Sequence, residues 1–211
     1  MQFARLFEVI KNYKTISPQI IFFEILYLMK GYGLSAINIS NNNKYSDNIP
    51  CPYFFLYKIK KFLIKNDIGS LIDLGCGSGR VIKFFNKYLK IKYYGLELIS
   101  PIYSSCKKTF QKYDNIEIFN EDIMNLKFIN IDNDCFFIND PLKKEEDFKQ
   151  LIRSIIESKK KYEKKIYFIL INITEDKRSV FNEYELVESL QTDLKGYYIY
   201  SNYKKNEISK H

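Results

Sequence analysis

From Tyr53 onward the chain alternates short apolar runs with longer stretches whose apolar residues recur every three or four positions. "SLIDLG", "KYYGLEL", "IEIFNED", "DCFFIND" and "KIYFILIN" read as strands. "YFFLYKIKKFLIKN", "RVIKFFNKYLK", "SPIYSSCKKTFQKY" and "KEEDFKQLIRSIIESKKKY" read as helices between them. Such alternation implies a doubly wound, mostly parallel sheet with helices on both faces, an α/β fold. The tail breaks the pattern: "EYELVESLQTD" and "GYYIYSNYK" are two strand-like runs with Lys195-Gly196 between them, which reads as an antiparallel pair at the sheet edge.

Ahead of this core, residues 2–14 and 19–30 have helical spacing, separated by Ser17-Pro18, a helix-start signal. The two glycines, the asparagine run and the two prolines of 31–52 argue for irregular chain, a lid or substrate-access segment. This divides the chain into an N-terminal extension, 1–52, and a main domain, 53–211. The most apolar run, Ile20–Met29, carries Glu24 and falls well short of the ~20 residues a bilayer-spanning helix needs. No small-residue cleavage pattern follows it, so it reads as a core-packing helix rather than a signal or transmembrane segment.

Composition removes several chemistries. The one histidine is His211, so a general base has to be a carboxylate, a lysine, a tyrosine or water. Cys51, Cys76, Cys106 and Cys135 form no C-x-x-C pair and read as reduced thiols of a cytoplasmic protein. The net charge of +8 would suit nucleic acid, but only Arg5, Arg80, Arg153 and Arg178 among 33 basic residues are arginine. Abundant Lys, Ile, Asn, Tyr and Phe throughout the chain read as a coding bias, and a nucleic-acid partner is not favoured.

The densest signal is "LIDLGCGSG", residues 71–79: an apolar strand, a glycine-rich turn and a helix start. In that arrangement backbone N–H groups and the positive end of a helix face a ligand at close range. Gly75, Gly77 and Gly79 are spaced G-x-G-x-G, not the G-x-G-x-x-G of dinucleotide binders, and no G-K-[ST] follows as in a phosphate loop. A ribose binder on such a sheet also needs a carboxylate at the end of the next strand, and Glu97 is there.

Together "LIDLGCGSG", Glu97 and the "EDIMNL" that follows the third strand resemble the motifs of the class I S-adenosylmethionine-dependent methyltransferases. The resemblance covers roughly 53–203 and implies a seven-stranded Rossmann-like sheet that uses S-adenosylmethionine and releases S-adenosylhomocysteine. By it, Asp73 orders the loop and faces the methionine part of the cofactor, and Gly75, Cys76 and Gly77 form its floor. Glu97 would accept from the ribose hydroxyls, Asp122 from the adenine amino group, and Ile123 would pack on the ring. Leu74, Gly79, Leu98 and Asn139 complete the implied cofactor contacts, and Asn139 is also expected, with Asp140 and Tyr53, to act on the acceptor.

The acceptor end lies after the fourth strand, where Asn139-Asp140-Pro141-Leu142 stands in the place of the [DN]-P-P-[YF] of amino-methylating relatives. Leu142 replaces the aromatic residue that stacks on a flat base, which argues against a nucleobase acceptor. Asp140 is the candidate for binding or deprotonating the acceptor; its structural alternative is to cap the helix beginning near Lys143. "YSDNIPCPYFFL" resembles a Y-x-P-x-P-Y segment of small bacterial members and, more weakly, methyltransferases acting on protein lysine; by that likeness Tyr45, Tyr53 and Asp140 would receive the amine. Arg80 is expected to pair with an acidic residue below the site. The expected activity is methyl transfer to nitrogen or oxygen of a small-molecule, sugar or protein acceptor; the alternatives are a non-catalytic cofactor-binding scaffold and an RNA or DNA methyltransferase.

Overall fold

The computed structural model describes residues 17–32, 44–46, 49–160, 164–192 and 196–204. The helix expected over 2–14 lies outside them. The elements are α1 (Pro18–Met29), α2 (Tyr53–Lys65), β1 (Ser70–Leu74), α3 (Arg80–Tyr88), β2 (Lys92–Glu97), α4 (Ser100–Phe110) and β3 (Ile116–Asn120), followed by two 3-10 turns, Ile123–Asn125 and Lys127–Asn130. Then come β4 (Cys135–Ile138), α5 (Glu145–Lys160), β5 (Tyr167–Ile171), the single-turn α6 (Glu175–Arg178), β6 (Tyr184–Gln191) and β7 (Gly196–Lys204).

The seven strands form one sheet in the order β3-β2-β1-β4-β5-β7-β6. β1 to β5 pair in parallel, while β7 runs antiparallel to both β5 and β6. The expected C-terminal strand pair is present, with β7 inserted beside β5 and β6 left at the edge. Strand order reverses between β1 and β4, and in such sheets the crevice beyond the carboxyl ends at that point is where ligands bind.

Burial explains the sequence pattern. All residues of β1, β4 and β5 are buried, as expected of parallel strands covered on both faces, whereas β3 at the edge alternates. Side chains of period two sort into two core layers. Leu71, Phe137, Ile169 and Ile199 face α1, α2, α3 and α4, while Ile72, Phe136, Phe168 and Tyr200 face α5. On α3, Val81, Ile82, Phe84 and Phe85 are all buried. Replacing Phe85, which has no exposed surface, by alanine would cost roughly 3–5 kcal/mol.

α1 starts with Pro18 in its first turn, as the sequence indicates, and puts Ile20 and Tyr27 into the same core layer as α2 and α3. Residues 44–46 run beside the loop after β4. Lys143 N–H donates to the Lys44 carbonyl, Ser46 N–H to the Pro141 carbonyl, and Tyr45 bridges Leu142 in antiparallel sense. β4 ends at Ile138, two residues earlier than the sequence suggests, because Asp140 turns into a left-handed conformation at φ 41°. Among the described residues no helix is long and apolar enough to cross a membrane.

Candidate active site

The loop after β1 is built from positive-φ glycines, Gly75 (85°), Gly77 (54°) and Gly79 (79°), a conformation that costs glycine nothing. The N–H groups of Gly75 and Cys76 donate to the Leu96 carbonyl at 3.0 and 2.8 Å, tying the turn to the end of β2. Gly79 caps α3, and a methyl group there would stand 2.3 Å from the Phe110 ring, so this glycine lets α3 meet α4. Cys76 is buried against Gly95, where a Cβ would meet its Sγ at 2.8 Å. A hydrogen bond with Cys106 and burial hold the Cys76 thiol well above the usual range, so it is a packing group rather than a nucleophile.

Three carboxylates stand at or just beyond the carboxyl ends of three adjacent strands. Asp73, in β1, is 2 % exposed and its Oδ2 has no hydrogen-bond partner. Burial, reinforced by the nearby Glu97, pushes its pKa up to about 8. Glu97, the last residue of β2, is buried and accepts the Gly77 N–H at 3.0 Å and the Ile99 N–H at 2.8 Å, so it clamps the glycine loop to the next turn. Asp122, after β3, caps the first 3-10 turn by accepting from Met124 N–H at 2.8 Å, and its other oxygen accepts from the Tyr45 hydroxyl at 2.5 Å. Ile123 and Leu74 are buried beside this turn and the glycine loop respectively, while Leu98 is half exposed.

Across the switch point, Asn139 and Asp140 leave β4 toward β5. Asn139 donates to the Ile49 carbonyl at 2.6 Å and accepts from Asn172 Nδ2 at 3.2 Å. Asp140 does not cap the following helix: its Oδ1 pairs with Lys177 Nζ at 2.5 Å, and the same ammonium donates to the Leu142 carbonyl at 2.6 Å. Burial raises the Asp140 pKa, and Lys177 offsets part of that rise. A cavity of about 540 Å³ opens here, lined among others by Asp140, Asn172, Glu175, Arg178 and Tyr198. Two buried polar atoms at it lack partners, Asn172 Oδ1 and Arg178 Nε, and the Arg178 guanidinium lies 3.8 Å above the Tyr198 ring.

Sequence reasoning missed Lys177, Asn172 and Arg178. The available signal was the segment "NITEDKR" directly after a strand, in which Thr174 caps α6 and so brings Lys177 back toward β4. Tyr53, expected near the acceptor, is corrected to a core residue: it is 2 % exposed, stacks on Tyr27 at 4.9 Å and carries the Arg80 guanidinium 3.7 Å above its ring. The N-terminus of α2 put it there, because Pro52 starts the helix and Glu24 accepts the Tyr53 N–H. Arg80 pairs as expected with an acidic residue, Glu24 of α1, at 2.5 Å.

Residues 71–161 match the family model described as a methyltransferase domain. Among curated proteins no sequence match is found. Solved structures of similar shape include an RNA methyltransferase from Salinibacter ruber in complex with S-adenosyl-L-homocysteine, at 12% identity and TM-score 0.55, covering 72% of this chain and 93% of that one. Magnesium protoporphyrin IX methyltransferase from Synechocystis, with bound SAM, has 12% identity and TM-score 0.55 over 89% of this chain and 97% of its own. The N-methyltransferase NodS from Bradyrhizobium japonicum has 9% identity and TM-score 0.52 over 70% and 96%. At these identities the likeness is one of fold.

Proposed function

We propose that this chain, a class I S-adenosylmethionine-dependent methyltransferase, transfers the cofactor's methyl group to a nitrogen or oxygen of a small-molecule, sugar or protein acceptor seated beside Asp140. The observation that carries this reading is the row of carboxylates Asp73, Glu97 and Asp122 on adjacent strand ends, with Asp73 Oδ2 buried and unpartnered. A buried carboxyl group without a counter-charge fits a cationic ligand, because a positive charge nearby restores its ionised form.

S-adenosylmethionine supplies a methyl group already activated on a positively charged sulfur. The chain's own residues have to bind and align. Glu97 accepts from the ribose hydroxyls with lone pairs left over from its two backbone donors. Asp122 receives the adenine amino group, Ile123 packs on the ring, and Asp73 faces the ammonium end. Leu74, Gly75, Cys76 and Gly77 form the floor, while Gly79 acts through helix packing. Leu98 borders the ribose side and Asn139 the methionine side.

On the acceptor side, Asp140 presents the oxygen that Lys177 does not hold, and accepts an N–H or O–H of the acceptor. Orientation is the larger part of such catalysis, since a displacement at an activated carbon needs alignment more than chemical help. Proton removal by Asp140 assists an acceptor that is protonated in solution. The Asn172 amide oxygen and the Arg178 guanidinium, each with a buried polar atom lacking a partner, are further polar anchors of the acceptor cavity.

The test is calorimetric titration with S-adenosylmethionine and S-adenosylhomocysteine, followed by acceptor screening with Asp140→Ala. Binding that is lost in Glu97→Ala, and turnover that is lost in Asp140→Ala while binding persists, are expected. Absence of binding overturns the reading; binding without transfer to any acceptor makes the chain a cofactor-binding scaffold.

A further inference from the structure

The positive charge of the chain is not evenly spread. α1, α2 and α3, which pack into one core layer, carry Lys58, Lys60, Lys61, Lys65, Arg80, Lys83 and Lys87 against the single acid Glu24, and Arg80 already holds Glu24. On the opposite layer α5 balances Glu145, Glu146, Asp147 and Glu157 with Lys149, Arg153, Lys159 and Lys160. Basic residues are about equally dense on both; what differs is the acids, one on α1 to α3 against four on α5, so only the first layer carries a net positive charge.

Ion pairing repeats the asymmetry. Lys44, Lys127, Lys149, Lys164, Lys165 and Lys177 each have a carboxylate partner. Among the described residues, no carboxylate partner is seen for the lysines of the basic layer, and several lie against tyrosine rings instead: Lys60 is 4.2 Å from the Tyr88 centroid, Lys87 4.9 Å from Tyr32 and Lys30 5.1 Å from Tyr27. Among the described residues, four lysines, Lys30, Lys83, Lys87 and Lys90, and no acidic side chain line a groove of about 320 Å³. Tyr113 lines the same groove and is 45 % exposed, and Tyr88 nearby is 38 % exposed.

We propose that this groove binds the phosphate backbone of a single-stranded polynucleotide. Lys83 and Lys87 lie one helical turn apart on α3, about 6 Å along its axis, so one strand can meet both. The lysine ammonium groups neutralise phosphates, and exposed tyrosine rings offer stacking faces that tolerate any base. A membrane surface fits less well, because the groove is concave and, among the described residues, no Ala, Val, Leu, Ile or Met lines it. The groove sits on the α3 and α4 side of the sheet, apart from the acceptor cavity, so the inference does not rest on methyl transfer. It gives the chain a docking face for RNA or DNA whatever group accepts the methyl.

The experiment is fluorescence anisotropy with a labelled single-stranded oligoribonucleotide and its deoxy counterpart, at about 50 and about 200 mM salt, with anionic phospholipid vesicles as a third probe. Four phosphate contacts at a slope of about −0.7 each imply that affinity falls roughly 50-fold across that range. Lys83→Gln with Lys87→Gln removes two contacts and leaves a fall of roughly 7-fold. Arg153→Gln with Lys160→Gln removes the same charge from the opposite layer and is expected to leave the slope unchanged. An unchanged thermal melt followed by circular dichroism reports that each variant is folded, whether or not the cofactor binds. Equal weakening by both pairs, or vesicle binding without oligonucleotide binding, overturns the proposal. Equal affinity for both oligonucleotides supports recognition through phosphate alone, and a preference for RNA supports a contact to the 2′-hydroxyl.

Discussion

Asp73 makes cofactor affinity depend on pH in a calculable way. Its carboxyl group is buried with a pKa pushed up to about 8, so below that pH it is protonated in the free protein. A ligand that brings an ammonium group beside it favours the ionised form and therefore releases one proton on binding. One proton released corresponds to roughly tenfold in affinity, about 1.4 kcal/mol, for each pH unit. S-adenosylmethionine should thus bind roughly tenfold more tightly at about pH 7 than at about pH 6, with the gain levelling off above about pH 8. The assay is calorimetry in two buffers of different ionisation enthalpy, which counts the proton directly. Adenosine, which has no ammonium group, serves as the ligand without a slope. Asp73→Asn removes the titrating group in nearly the same shape and should flatten the profile. The free protein should show the opposite trend in stability. The folded pKa lies above the unfolded value of 3.8, so the contribution is full below that value and is lost, by about 1.4 kcal/mol per pH unit, as pH rises toward 8. A slope that survives in Asp73→Asn, or affinity that does not change between about pH 6 and about pH 8, would refute the assignment.

Other perturbations separate packing from chemistry. Gly79→Ala should destabilise by roughly 3 kcal/mol or more in denaturant unfolding, because it adds a positive-φ side chain whose Cβ would stand 2.3 Å from Phe110. Asp140→Asn should cost on the order of 3 kcal/mol by leaving the buried Lys177 ammonium without its counter-ion. Adding Lys177→Met should recover most of that stability in a thermal melt; if turnover returns with it, Asp140 is structural rather than catalytic. Tyr45→Phe removes the hydroxyl that donates to Asp122 at 2.5 Å, and limited proteolysis should then cut near residues 44–46 more readily than in the parent chain.

What was legible in the sequence was local. The positive-φ glycine turn, the carboxylate at the end of β2 and the cap after β3 depend on neighbours within a few residues, so "LIDLGCGSG", Glu97 and Asp122 could be identified before any coordinates. The strands followed from runs of apolar residues, since β1, β4 and β5 are buried on both faces. What escaped depends on contacts distant in sequence. Lys177 meets Asp140 across 37 residues and Tyr45 meets Asp122 across 77, and although Arg80 was expected to pair with an acid, its partner Glu24 lies 56 residues away. Tyr53 was misassigned for the same reason: its place in a motif-like segment says nothing of the guanidinium that covers it. The charge of the chain was legible as a total but not as a distribution, because only the fold gathers α1, α2 and α3 into one layer.

The Arg80 and Glu24 pair bears on where this protein could be shortened. Arg80 directly follows the glycine loop, and both charged side chains are mostly buried, 8 % and 12 % exposed. A chain beginning at Tyr53 would keep the glycine loop, Glu97 and Asp122, yet it would strand a guanidinium in the aromatic cluster and remove the acceptor of the Tyr53 N–H. The helix of the N-terminal extension is in this sense the keystone of the glycine loop, and trimming it should damage the pocket before it damages the sheet.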